Sequence, residues 1–108
     1  MSKLADKRCV PCEGGVPPLD QTQIEELLEQ LSGWHIEHEF HLTKVFKFPD
    51  FLTALAFVNK IGAIAEDQGH HPDLHLAWGK VGVKIWTHKI DGLTESDFIL
   101  AAKADEKL

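Results

Sequence analysis

Two adjacent imidazoles, His70 and His71, a third at His88, and carboxylates at Glu66 and Asp73 are the side chains best suited to chemistry. Imidazole titrates at about pH 6.5, so it can donate or accept a proton near neutrality without heavy tuning. His70 and His71 follow Gly69 and precede Pro72, in a loop restrained on both sides, and such loops are good places for chemistry. A histidine just past a helix also gains from the helix dipole when it is protonated. Glu66 lies one helical turn before His70, where it can orient a ring or raise its basicity. His88 ends a strand-like run that can carry it to the same cleft.

Four of the seven histidines fall within 66–91. Of these, His75 reads as incidental. His35, His38 and His41 read as ordinary half-buried histidines that each hold one hydrogen bond. A metal centre would draw on His70, His71, His75 and His88 with Glu66 or Asp73. Adjacent side chains diverge, however, and no HExxH spacing puts two imidazoles on one helix face. Metal-free acid–base chemistry is the better fit.

Other chemistries find less support. Cys9 and Cys12 form a lone CxxC in a Pro/Gly-rich lead-in. It neither follows a strand nor has a second CxxC to complete a four-ligand site. It reads as peripheral, with a labile disulfide or adventitious metal as the remaining readings. No glycine-rich phosphate cradle opens a helix. Ser2, Ser32 and Ser96 lie in no nucleophile elbow.

The elements that must position the histidines follow from periodicity. Residues 1–18 read as a flexible arm punctuated by Pro11, Gly14, Gly15, Pro17 and Pro18, with Leu19 as the first docked residue. Residues 19–108 then form a single domain. Ile24, Leu27, Leu28 and Leu31 predict a helix over about 21–31, with Asp20 and Gln23 as a capping box and Gly33 ending it. Alternation from Trp34 onward predicts antiparallel strands at about 34–38 and 42–48, with a turn between them. A second helix is expected over about 50–68, begun by Asp50 and closed by Gly69, with close packing as a reason for Gly62 in its interior.

Strands at about 74–78 and 81–88 follow, and Lys84, Trp86 and His88 share the face opposite Val81, Val83 and Ile85. A last helix spans about 95–104, capped by Thr94 and Asp97, with Leu93 and Phe98 as a staple. The order α-β-β-α-β-β-α predicts an α+β, two-layer domain. Its four-stranded antiparallel sheet carries three helices on one face. The other face is then covered by a partner or left open as a site.

The chain has 108 residues, 44% apolar, with a net charge of −6. That suits one soluble domain with a modest core, and oligomerisation can add stability. Arg8 is the only arginine, so no cationic surface for a phosphate backbone is expected. No run approaches the roughly 18 apolar residues of a membrane span. The opening residues lack the apolar stretch of a signal peptide, so the cytoplasm is the expected location.

The motif residues together resemble the pterin-4a-carbinolamine dehydratase family in its bacterial form. The resemblance is carried by Glu66, His70-His71-Pro72, Trp78, Thr87-His88 and Asp97. Gly33-Trp34, Phe46, Phe48, Phe51, Ala54, Phe57 and Ala65 agree upstream, and Gly92-Leu93 downstream. It covers about 20–104 and leaves the CxxC outside.

The resemblance implies dehydration of 4a-hydroxytetrahydropterin to the quinonoid dihydropterin, recycling the pterin of aromatic amino acid hydroxylases, chiefly phenylalanine hydroxylase. It implies His70 and His88 as the acid and base at the 4a-hydroxyl and N5. His71 would serve pterin binding and transition-state electrostatics. Glu66 or Asp73 would tune the rings, and Trp34 or Trp86 would add an apolar wall. No cofactor or metal is implied. A homodimer or homotetramer is. A non-catalytic dimerisation or regulatory protein of the same fold is the alternative reading, and a histidine metal-binding protein a third.

Overall fold

The computed structural model describes Leu4, Asp6 and residues 18–38, 40–90 and 92–108. Apart from Leu4, Asp6 and Pro18, the expected arm lies outside the described residues, as do Cys9 and Cys12. The elements are α1 (Gln21–Leu28), β1 (His35–Glu37), β2 (His41–Lys47), α2 (Phe51–Gln68), β3 (Asp73–Ala77), β4 (Lys80–Ile85), a one-turn 3-10 helix at His88–Ile90, and α3 (Glu95–Asp105). The strands form one antiparallel sheet in the order β1-β2-β4-β3. This is the α+β fold expected from the sequence.

Local chemistry sets most boundaries. The Asp20 side chain accepts from the Gln23 amide at 2.8 Å, and Gln23 accepts from the Asp20 amide at 3.0 Å, which completes the capping box. α1 stops at Leu28, short of the expected 31. The amides of Gln30 and Leu31 turn back to the Leu27 and Leu28 carbonyls, tightening the chain into i→i−3 turns before Gly33. Asp50 caps α2 through the Thr53 amide at 2.8 Å. Gly69 closes that helix at φ +65°, a left-handed conformation that favours glycine. The turn between β1 and β2 carries no glycine; His38 supplies the positive φ of 50° itself.

One sheet face is dry. Leu42 and Phe46 of β2, with Val81, Val83 and Ile85 of β4, are buried against Ala54, Phe57 and Ile61 of α2 and the α3 residues Phe98, Ile99 and Ala102. Each fully buried large side chain contributes about 1.5–3 kcal/mol. Leu4 is also buried in this core, upstream of Leu19. Lys44 faces the same side between Leu42 and Phe46. Its Nζ donates to the Ser32 carbonyl and to Asp105 Oδ1, both at 2.8 Å, and lies 4.7 Å from the Phe46 ring centre. Trp34 Nε1 donates to the other Asp105 oxygen at 3.0 Å. The break in the apolar stripe is thus a partnered cation that ties β2 to the end of α3.

The opposite sheet face is open. Glu37, Thr43, Val45, Asp73, His75 and Lys84 line a shallow groove there of about 280 Å³. A Cβ placed on Gly62 would meet nothing within 4 Å, so close packing within this chain does not explain that glycine. Among the described residues no helix is long and apolar enough to cross a membrane.

Candidate acid–base site

The antiparallel pairing of β3 with β4 brings the two histidine segments to one end of the sheet. Asp73 opens β3 directly across from Lys84, near the end of β4. The His70-His71-Pro72 loop that enters β3 and the Thr87-His88 segment that leaves β4 are therefore neighbours. β4 ends at Ile85 and not at 88 as the alternation suggests. Thr87 forms an isolated bridge with Gly92, which pulls the chain out of the sheet and leaves His88 at the start of the 3-10 turn.

The buried centre of the site is Asp97, which is fully inaccessible to solvent. His70 Nε2 lies 2.5 Å from its Oδ1, and because an ionised carboxylate only accepts, the Nε2–H tautomer is assigned as the donor. The Thr87 hydroxyl and the Thr94 amide each donate to its Oδ2 at 2.8 Å. Three donors on one carboxylate meet the hydrogen-bonding demand of a buried acid. They also fix the His70 ring. With Nε2–H committed to Asp97, Nδ1 is the nitrogen left to take or give a proton. Because Thr87 immediately precedes His88, one short segment both clamps Asp97 and presents the second imidazole.

The remaining residues fall in four places. His71 Nε2–H donates to Glu66 Oε1 at 2.8 Å, but the side chains are 59% and 81% exposed. Solvent screening makes that pair weak beside His70–Asp97, where the exposures are 12% and 0%. His88 stacks on Trp86, with ring centres 4.2 Å apart and planes 39° apart. Trp34 is buried in the core, edge-on to Phe46, and Asp73 and His75 lie on the open sheet face.

Asp97 is legible in the sequence as a capping residue and as the aspartate that closes the motif of the resemblance, but not as the partner of His70. Its spacing after Thr94 reveals the use of one oxygen and says nothing of the other. Among the described residues no group of three His, Cys, Asp or Glu side chains is arranged to hold a metal ion.

Fold and site together define a class: a two-layer α+β domain presenting carboxylate-anchored imidazoles at one end of its sheet. Residues 17–107 match the family model described as pterin 4 alpha carbinolamine dehydratase. The chain belongs to that family. A Rickettsia bellii protein named for the same dehydratase is 59% identical over 103 residues, spanning 94% of this chain and 91% of its own length. One from Rubrobacter xylanophilus is 55% identical over 97% of this chain and 98% of its own.

The crystal structure of a transcriptional coactivator/pterin dehydratase from Brucella melitensis matches with a TM-score of 0.80 and 34% identity, over 84% of this chain and 98% of that one. A pterin dehydratase-like protein described as a RuBisCO assembly factor in the alpha-carboxysome matches with a TM-score of 0.61 and 22% identity. It covers 70% of this chain and 89% of that one, a likeness of fold alone.

Proposed function

We propose that this chain dehydrates 4a-hydroxytetrahydropterin to the quinonoid dihydropterin and water. The observation that carries the reading is the buried Asp97 holding His70 through Nε2–H, which leaves Nδ1 for proton transfer. In the reaction the C4a–O bond breaks, the hydroxyl leaves as water after gaining a proton, and N5 loses its proton as the C4a–N5 double bond forms. One proton goes in and one comes out, with no change in oxidation state. Two imidazoles suffice for that exchange, and positioned acid–base groups supply roughly 10²–10⁴-fold.

His70 and His88 are the acid and base, and His71 contributes to binding and to transition-state electrostatics. Glu66 orients His71. Trp86 supplies the apolar wall beside His88, whereas Trp34 packs on Phe46 and donates to Asp105 at the end of α3. Asp73 tunes the entrance to the histidine loop. Residues 19–108 carry the chemistry, and residues 1–18 contribute none. The product returns to an aromatic amino acid hydroxylase, with phenylalanine hydroxylase as the functional link.

The chain associates with copies of itself. Phe51, Leu52 and Trp78 are exposed large apolar side chains that favour such burial. Light scattering distinguishes dimer from tetramer. The enzymatic reading is tested by the decay of chemically generated 4a-hydroxytetrahydropterin, which the protein accelerates. Folded protein without acceleration would favour a non-catalytic partner of the same fold.

A further inference from the structure

Trp86 touches a second imidazole besides His88. The register that pairs Leu42 with Ile85 brings His41, at the start of β2, level with Trp86. Their ring centres are 4.2 Å apart and their planes 38° apart, which nearly repeats the His88–Trp86 geometry. His41 is in turn met edge-on by Phe40 at 4.5 Å and 74°, and by His38 at 5.6 Å and 69°. The His41 Nδ1 is buried without a hydrogen-bond partner. A buried ring nitrogen normally finds one. Here ring contacts, and not a hydrogen bond at Nδ1, set how this imidazole sits.

We propose that His41 is a positioning residue for His88, acting through Trp86. The proposal rests on the dehydratase reading of the site. His88 is exposed and lies in a single 3-10 turn beyond the end of β4. So short a turn does not hold a side chain to the tolerance that proton transfer requires. Trp86 also lies past Ile85, outside the ladder. His41 is the first residue of the seven-residue β2 and pairs with Glu37 of β1, so it links the loop to a paired strand of the sheet. Burial, then Lys84 and His38, hold its imidazole below the usual value, against the opposing pull of Glu37 and Asp73. Near neutrality it is therefore an uncharged stacking surface, which a phenyl ring can imitate.

The test uses His41→Ala and His41→Phe in the full chain. Circular dichroism checks that both are folded. For His41→Ala we expect kcat to fall about tenfold with KM within about twofold, short of the ~100-fold that a 1 Å misplacement can cost. For His41→Phe we expect kcat within about twofold of wild type, since the stack is kept. A matching readout is the His88 Hε1 proton resonance, which lies in the ring current of Trp86. It should move in His41→Ala and stay in His41→Phe.

Unchanged kcat in a folded His41→Ala variant overturns the proposal while the dehydratase reading stands. Loss in both variants also overturns it, because shape would then not be what His41 supplies. If wild type itself does not accelerate the reaction, the dehydratase reading falls. The His88 resonance then decides the positioning claim alone, and a resonance unmoved in His41→Ala overturns it.

Discussion

His70 Nε2 lies 2.5 Å from Asp97 Oδ1, and the two residues are 27 positions apart in the chain. The contact joins the end of α2 to the first turn of α3, with Thr87 completing the bridge from the sheet. Asp97→Asn keeps the size but replaces one acceptor oxygen by a donor. Either His70 loses its acceptor, or the Thr87 hydroxyl and Thr94 amide meet an NH₂ group. The expected result is a loss of kcat of roughly 100-fold, within the range set by general acid–base groups. Stability should fall by about 1–3 kcal/mol for the mismatched buried donors. Glu66→Gln, at a solvent-screened pair, should change kcat by less than about threefold. Initial rates and urea midpoints check both variants. Equal effects would contradict the ranking of the two pairs.

Acid stability should report His41. Its folded-state pKa lies below the ordinary 6.5, chiefly through burial. As the pH falls through the ordinary value, the unfolded chain takes up a proton that the folded chain does not. The stability linked to His41 is thus present above pH 6.5 and is lost as the pH falls toward the folded value. Urea midpoints between about pH 7.5 and 5 should decline less steeply in His41→Phe than in wild type. Equal slopes would contradict the assignment.

Gly62 offers a gain. An added methyl group would meet nothing within 4 Å, and the position lies inside α2. Gly62→Ala should stabilise the protein by about 0.5–1 kcal/mol. Thermal unfolding measures it. Destabilisation with a lower mass by light scattering would instead put Gly62 at a contact between copies.

The lead-in contains Leu4, Cys9 and Cys12. Leu4 is 1% exposed within the core, so Leu4→Ala should cost about 2–5 kcal/mol. Serine at Cys9 and Cys12 should leave kcat within about twofold, where acid–base chemistry by imidazole asks nothing of a thiol. A large loss of activity in the double-serine variant would show that the lead-in takes part in the chemistry.

The sequence was most legible where the governing interaction is local. Asp20 with Gln23, Asp50 with Thr53, and Gly69 after α2 act within one helical turn of themselves, and each marks its boundary correctly. Legibility failed where a distant contact overrides a continuing pattern. Alternation runs on through Trp86 and His88, yet the Thr87–Gly92 bridge ends the strand earlier. Leu31 keeps the helical spacing of α1 although the backbone has already tightened into turns. Lys44 interrupts an apolar stripe because Asp105, 61 positions away, receives it. The candidate histidines stood out by type and spacing. Their partners were harder to see, since neither Asp97's second oxygen nor the His41–Trp86 contact leaves a local trace.

The proposed dehydration rests on an imidazole pair, set by Asp97 and Trp86, that moves its two protons. Its most direct test follows the decay of freshly generated 4a-hydroxytetrahydropterin with wild type, His70→Ala and His88→Ala at equal concentrations. Wild type should accelerate the decay clearly, and each variant should lose that acceleration by about 100-fold or more while its circular dichroism is preserved. Acceleration retained in both folded variants would contradict the account.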